Sequence, residues 1–538
     1  MTNLIDRAIL RFKLKNVQLA AMICIIAISA VFLFYRINSY PNVFTDEGNG
    51  MYDSWCIAKY GTDSHLLKNP IYLPGYRGQG QSVLYADIAA LFLKAFGYKL
   101  WAFRLPMILI CILNMIMIMY VGTKRAWEKE VFFSVLAVAT SPWMLTVARY
   151  GMDCNVAPFI LSMASLTFYY GCTENNSQMI RKTGMIAGAV LFAAVCYSYN
   201  VSWIFLPVFM LVLLVGLLKA KVVTVRELIL PAAIFTVLAL PVMLFAVRSN
   251  VSFLNNDLKI LWFTLPKLAV GRASESFIDI SDGIIPAIRT NLYKGIRMFA
   301  NGTDKLSWNS PGNFGPYYMF TMPFFLQGLN VRLKRRHADD IFVLAQIIGM
   351  IPVMLVVTPN YNHWIFLHFA VLFTVGTGLS DIFARVRDTD SRRHFFRAVI
   401  LTYAFFTVWF FYQYFAANRY TGWDSDSRSA LLALNTDKYQ KVYVVTEQAD
   451  FLENLRFALP VSPTEFQETK DSPYSETDYT METTYSNFEL MTDSTEIQDN
   501  SLFLIQKSQV EDHEELVNSL TETGNFRMYE LNYTVYEN

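Results

Sequence analysis

Side chains capable of chemistry are few in this chain, and most fall at the edges of apolar runs. Asp46 and Glu47 stand side by side in TDEGNGMYDSW, just beyond an uncharged run from Val17 to Tyr35. A carboxylate in such a place can take a proton from a hydroxyl or amine nucleophile, given reach and a suitable pKa. A solvated loop pair is the alternative reading. In SPWMLTVARYGMDCN (141–155), Arg149 and Asp153 lie four apart, so on a helix they share one face. Ionisable groups at a membrane exit are candidate sites, although an ordinary ion pair fits the same spacing. Arg104, ahead of Leu105 and Pro106, could bind a phosphate or extend to lipid headgroups. CYSYN (196–200), with Tyr199, and NYNHW (360–364), with Asn360, Asn362 and His363, put further polar groups at the ends of apolar runs. Each serves as a ligand or as an interfacial cap. No HExxH, His/Cys cluster or carboxylate triplet suggests a metal, and no motif calls for a cofactor.

The elements that must position these groups follow from composition. The chain has 538 residues, 45 Lys+Arg, 44 Asp+Glu, and charged residues at 17%, against roughly 25% in a soluble protein. Mean hydropathy is +0.30. Disordered chains, collagen-like chains and nucleic-acid binders that rely on net charge are excluded. Apolar clustering decides the class: uncharged runs long enough to cross hydrocarbon recur, as in a multi-span membrane protein. Spans are expected near 17–35, 104–122, 131–148, 156–172, 184–200, 203–218, 228–247, 317–330, 341–358, 364–380 and 397–416, about eleven in all. The short loops that would lie on one face by alternation are basic: Arg7 to Lys15, Lys124 to Lys129, Arg181 and Lys182, Lys219 to Arg226, Arg332 to Arg336, and Arg385 to Arg397. The positive-inside rule places them and the N-terminus in the cytoplasm, and an odd span count puts the C-terminus outside. The six cysteines read as small hydrophobes, Cys56 and Cys154 alone falling in outside segments.

Three outside segments are large. Residues 36–103 end in QSVLYADIAALFLKAFGYKLWAF, whose Asp87 and Lys94 suit an amphipathic helix at the interface better than a span. Residues 248–316 are expected to be partly helical and interfacial. The tail, 421–538, is acidic and is expected to form a small extracytoplasmic α/β domain beside the membrane domain 1–420. KVYVV (441–445), SLFLIQ (501–506) and FRMYELNYTVYE read as strands, FLENLRFAL (451–459) and EELVNSL (514–520) as helices, and 467–500 as loop. A structural or acceptor-docking role fits the tail better than a catalytic one.

The order of features resembles the GT-C fold of membrane glycosyltransferases: Asp-Glu after span one, a Pro/Gly-punctuated loop with an amphipathic helix, FGYKLWAFRLP, then SPWMLTVARYGMDCNVAPF. Within that fold it is similar to the branch of protein O-mannosyltransferases and the lipid A aminoarabinose transferase, best over residues 1–200. The resemblance implies an α-helical polytopic protein of the plasma membrane that inverts an anomeric carbon outside the cytoplasm. The donor would be a sugar on a polyprenyl phosphate, held with its tail in membrane lipid, and the acceptor a surface glycan, lipid or protein. The resemblance implies no catalytic metal, and no nucleic-acid partner is expected. Carried over by position, Asp46 is the general base and Glu47 its neighbour. Arg104 meets the lipid phosphate, and Arg149 and Asp153 match a second-loop pair in which many relatives carry Glu. Asp153 joins the catalytic acids, with Tyr199, Asn362 and His363 on the substrate side. A transporter or lipid-linked sugar flippase is the competing class, and it predicts mid-membrane charges and internal symmetry.

Overall fold

Segments that cross hydrocarbon must pair their own backbone groups, so long apolar runs become helices. A computed structural model describes residues 2–75, 78–125, 128–251, 256–268, 276–306, 308–310, 314–416, 422–423, 431–434, 436–446, 451–471, 482–492, 494–506, 509, 512–516, 518, 527–531 and 533–534. Among them lie eight helices long and apolar enough to cross a membrane. These are α1 (Thr2–Phe34), α4 (Leu100–Lys124), α8 (Gln178–Cys196), α9 (Ser202–Lys219), α10 (Val225–Val251), α13 (Ala338–Val356), α14 (His368–Arg385, entered through a 3-10 turn at Ile365–Leu367) and α15 (Thr389–Ala416). The protein is a multi-pass membrane protein.

Two expected spans take other forms, and a third, 156–172, is a single helix as expected. The run 131–148 is two helices, α5 (Glu128–Ala139) and α6 (Pro142–Val147). Ser141 caps α6 by accepting the Met144 N–H at 3.1 Å, and Pro142 opens it, so the Ser-Pro pair starts a new helix instead of continuing the old. The run 156–172 is one helix, α7 (Asp153–Cys172), nearly all of it buried. The run 317–330 becomes a 3-10 turn (Met319–Thr321) that leads directly into the 14-residue α12 (Met322–Arg335), which carries the chain to the end of the bundle where Arg332 and Arg335 lie.

The segments expected outside are partly helical. Residues 36–103 contain α2 (Thr45–Tyr60) and α3 (Val83–Phe96), and α3 stops at Gly97, whose φ of +81° a side chain would resist. The segment 248–316 holds a hairpin, β1 (Leu258–Ile260) with β2 (Phe263–Leu265), and α11 (Ile284–Asn301). On α11, Asn291, Gly295 and Met298 are buried, while Ile285 and Ile296 are exposed, the two-sided pattern of an interfacial helix.

In the tail, β3 (Gly422–Trp423), β4 (Lys441–Val445), α16 (Phe451–Ala458), α17 (Pro463–Thr469), β5 (Thr484–Tyr485), β6 (Phe488–Leu490), β7 (Ser501–Gln506), β8 (Arg527–Leu531) and β9 (Tyr533–Thr534) follow in order. Strands β5-β6-β4-β7-β8 form one sheet, with β4 parallel to β6 and β7 and β7 parallel to β8. The segment expected as loop, 467–500, thus carries the end of α17 together with β5 and β6; its residues 472–481 lie outside the described set. So does most of the second half of EELVNSL, of which 514–516 are helical.

Helix packing is close where glycine permits it. A Cβ on Gly378 of α14 would overlap the Phe324 carbonyl of α12, and one on Gly328 of α12 would overlap the Thr374 carbonyl of α14. Small residues facing each other let two backbones touch. Gly378→Ala is expected to lower stability by about 1–3 kcal/mol, read as a lower thermal unfolding midpoint in detergent. At the same end of the bundle, buried Arg332 joins Glu130 (2.9 Å) and Asp340 (2.8 Å), and Arg335 joins Glu130, Asp339 and Asp340. This network ties α5, α12 and α13 together. Chain direction puts it opposite Asp46, because Ala139, at the far end of α5, accepts the Ser29 hydroxyl near the end of α1 that leads to Asp46.

Candidate active site

The Asp-Glu pair opens α2. Phe44 is the N-cap residue, and Asp46 and Glu47 sit in the first turn, where the positive end of the helix dipole favours carboxylates. Successive helical residues point about 100° apart, and the two acids part company. Asp46 is exposed. Glu47 is wholly buried and accepts Arg104 Nε–H at 2.7 Å and Nη2–H at 2.6 Å in a two-pronged pair. The Gly151 N–H also donates to Glu47, at 2.8 Å.

Arg104 therefore stands differently from the role the resemblance implies. Its side chain is 0% exposed, and besides Glu47 it donates to the carbonyls of Ile37 (3.2 Å) and Asn42 (3.5 Å). It grips the strip of chain between α1 and α2.

Arg149 and Asp153 do not share a helix face. Residues 148–152 turn between α6 and α7, and Asp153 begins α7. Arg149, buried, donates to the carbonyls of Phe32 (2.5 Å), Leu33 (3.0 Å), Tyr35 (2.7 Å) and Tyr40 (2.7 Å). The first three are carbonyls that the end of α1 leaves without helical partners, and the fourth belongs to the strip that follows. Asp153 accepts the N–H of Ser82, the N-cap residue of α3, at 2.8 Å and that of Cys154 at 2.8 Å. The pair expected as one charged face is two separate clasps, Arg149 on the strip that leads to Asp46 and Asp153 on the start of α3.

The remaining candidates lie on loops around the same end. Tyr199 is buried in the turn between α8 and α9. His363 places Nδ1 at 2.7 Å from the Thr358 carbonyl, and its N–H donates to Asn360 at 2.6 Å. Asn362 Oδ1 is buried without a hydrogen-bond partner among the described residues. This loop is tied towards α2 through Asp304, which accepts the Tyr361 N–H (3.0 Å), the Asn309 amide (2.8 Å) and the Ser310 hydroxyl (3.1 Å). Burial raises the Asp304 carboxyl above the usual range, against those hydrogen bonds. Between Asp304 and Asn309, Trp308 lays its ring 4.4 Å from that of Phe44.

Gln81 escaped sequence reasoning. Its Nε2 donates to the Asp46 carbonyl at 3.3 Å, and its Oε1 is buried without a partner among the described residues. The signal was the glycine punctuation before it: Gly75, Gly78 and Gly80 all have positive φ, folding the loop back so that Leu73 and Gln81 exchange both backbone hydrogen bonds. Behind α2, Asp53 accepts the Ser64 N–H (2.9 Å), and Asp63 accepts those of His65 (2.9 Å) and Leu67 (2.8 Å). Burial holds both carboxyls above their usual range. As for metals, His337, Asp339 and Asp340 form one set of suitable ligands among the described residues. It lies at the opposite end, and both carboxylates already pair with Arg335.

The chain is a multi-pass bundle in which buried arginines clasp the loop after α1, with an exposed carboxylate on a helix start; the comparisons name the fold. No family model matches the chain, and no curated protein matches it. Among solved structures, ArnT from Cupriavidus metallidurans bound to undecaprenyl phosphate is similar at 12% identity over 82% of this chain and 84% of that one, with a TM-score of 0.51. The Archaeoglobus fulgidus oligosaccharyltransferase in its apo form is similar at 12% identity over 82% of this chain and 64% of that one, with a TM-score of 0.52. The fold of this chain is that of the GT-C membrane glycosyltransferases.

Proposed function

We propose that this protein is an inverting glycosyltransferase that moves a sugar from a polyprenyl-phosphate donor to an acceptor outside the cytoplasm. The observation that carries the reading is the split of the acidic pair: Asp46 exposed on a helix start, over a Glu47 locked to Arg104. Asp46 takes the proton of the acceptor hydroxyl. The freed oxygen lone pair attacks the anomeric carbon from the face opposite the phosphate. The carbon–oxygen bond to phosphate breaks, polyprenyl phosphate leaves with the electron pair, and the configuration inverts. The donor's isoprenoid stays in lipid, so the reaction belongs at the membrane surface, where Asp46 follows α1. The structure of ArnT bound to undecaprenyl phosphate in the same fold supports a lipid-phosphate donor. The basic loops, all on the far side by alternation, support a cytoplasmic N-terminus and an outside tail. The commitments of Arg104 and Arg149 to backbone carbonyls and Glu47 support positioning roles for both, in place of phosphate binding.

Mass spectrometry of lipid-linked sugars and surface glycans, in cells with and without the protein, tests the reading. Expected without it are a polyprenyl-phosphate sugar that accumulates and a surface sugar that disappears. Unchanged surface glycans overturn it. Movement of an intact sugar-lipid across the bilayer, with no bond broken, would make the protein a flippase.

A further inference from the structure

We infer that the tail sets the position of Asp46 by seating Phe457 on Gly48; this rests on the glycosyltransferase reading above. Every residue of α16 is buried, although the helix belongs to the tail. The Phe457 ring occupies the space that a Cβ on Gly48 would need. Gly48 follows Glu47 directly and stands two residues after Asp46, so the ring bears on the backbone of the turn that carries the base. The seat is fixed by hydrogen bonds between the tail and three separate parts of the membrane unit. Tyr98, between α3 and α4, donates its hydroxyl to the Phe457 carbonyl at 2.6 Å. Tyr52, on α2 itself, donates to the Val461 carbonyl at 2.9 Å. Gln467 of α17 donates to the Ser64 carbonyl at 2.8 Å. Arg456, next to Phe457, lies over the Tyr52 ring (5.2 Å) on one side and the Phe466 ring (4.0 Å) on the other.

The same turn is held elsewhere by Gln81 on the Asp46 carbonyl and by Arg104 on Glu47. The tail is therefore a further grip on the helix start, and it is supplied from some four hundred residues away in sequence. A base must stand within hydrogen-bond reach of the proton it removes, and a displacement of about 1 Å costs about a hundredfold in rate. Phe457 and Gly48 are positioning residues that act through Asp46.

Compensation tests this. The full chain is purified, reconstituted and given a lipid extract that carries the cell's own polyprenyl-phosphate sugars together with its surface glycan, and release of polyprenyl phosphate is followed. Gly48→Ala, which forces the ring outwards, is expected to lower kcat by about tenfold to a hundredfold with KM for the sugar-lipid nearly unchanged. Adding Phe457→Leu to that chain is expected to restore most of kcat, because the smaller side chain makes room. Phe457→Leu alone is expected to lower kcat with KM kept, and it carries the test if Gly48→Ala fails to insert. Wild-type kcat in both single variants, or no recovery in the double variant, overturns the positioning role while leaving the glycosyltransferase reading in place. A wild-type chain that releases no polyprenyl phosphate overturns that reading and this inference with it.

Discussion

Replacing Asp46 by Asn is expected to cut sugar transfer by about 10²–10⁴-fold while the protein still inserts and purifies. Both halves of that result follow from where the residue sits. Asp46 is exposed in the first turn of α2, and the structure engages its backbone carbonyl, through Gln81, in holding the turn. Asn keeps that carbonyl and nearly the same shape. Loss of one carboxylate near a helix start costs about 0.3–1 kcal/mol, too little to unfold a membrane bundle. What Asn cannot do is accept a proton from a hydroxyl. Steady-state transfer, read beside the thermal unfolding midpoint, separates the two effects. Activity near that of the unchanged chain would remove Asp46 from the mechanism.

Arg104→Ala is expected to act the other way, on the fold first. It leaves the Glu47 carboxylate buried with the Gly151 N–H in place of the two-pronged pair, and breaking a buried ion pair costs about 3–5 kcal/mol. It also releases the carbonyls of Ile37 and Asn42 on the strip between α1 and α2. The expected outcome is a lower unfolding midpoint and less folded protein, with kcat lost because Asp46 is no longer held. Replacing both Arg104 and Glu47, by Met and Leu, is expected to recover stability but not transfer, since removal of both partners leaves no orphaned charge. Had Arg104 been the group that meets the donor phosphate, its replacement would instead raise KM for the sugar-lipid in a stably folded chain.

Much of this was legible in the residues. Long apolar runs gave most of the helices, the short apolar runs KVYVV and SLFLIQ and the helical pattern of FLENLRFAL placed β4, β7 and α16, and the adjacent acids stood out by type. What did not show is direction. Two neighbouring residues on a helix face different ways, and only Arg104, 57 positions on, decides that Glu47 turns inwards. The four-residue spacing of Arg149 and Asp153 predicted a shared face on the assumption of a continuous helix, and Ser141-Pro142 with the turn at 148–152 breaks that assumption. Gln81 lay unremarked in a glycine-rich loop, since a single amide carries no periodic signal. The contact of Phe457 with Gly48 joins parts of the chain that no local pattern connects.

One measurement bears most directly on the central claim. The purified chain is reconstituted with a lipid extract holding polyprenyl-phosphate sugars and the acceptor glycan, and the lipids are followed by mass spectrometry. Expected is the sugar-lipid falling as polyprenyl phosphate rises in equal amount, with both changes absent in Asp46→Asn. Equal conversion by the wild type and Asp46→Asn, or a sugar-lipid that never loses its sugar, would contradict it.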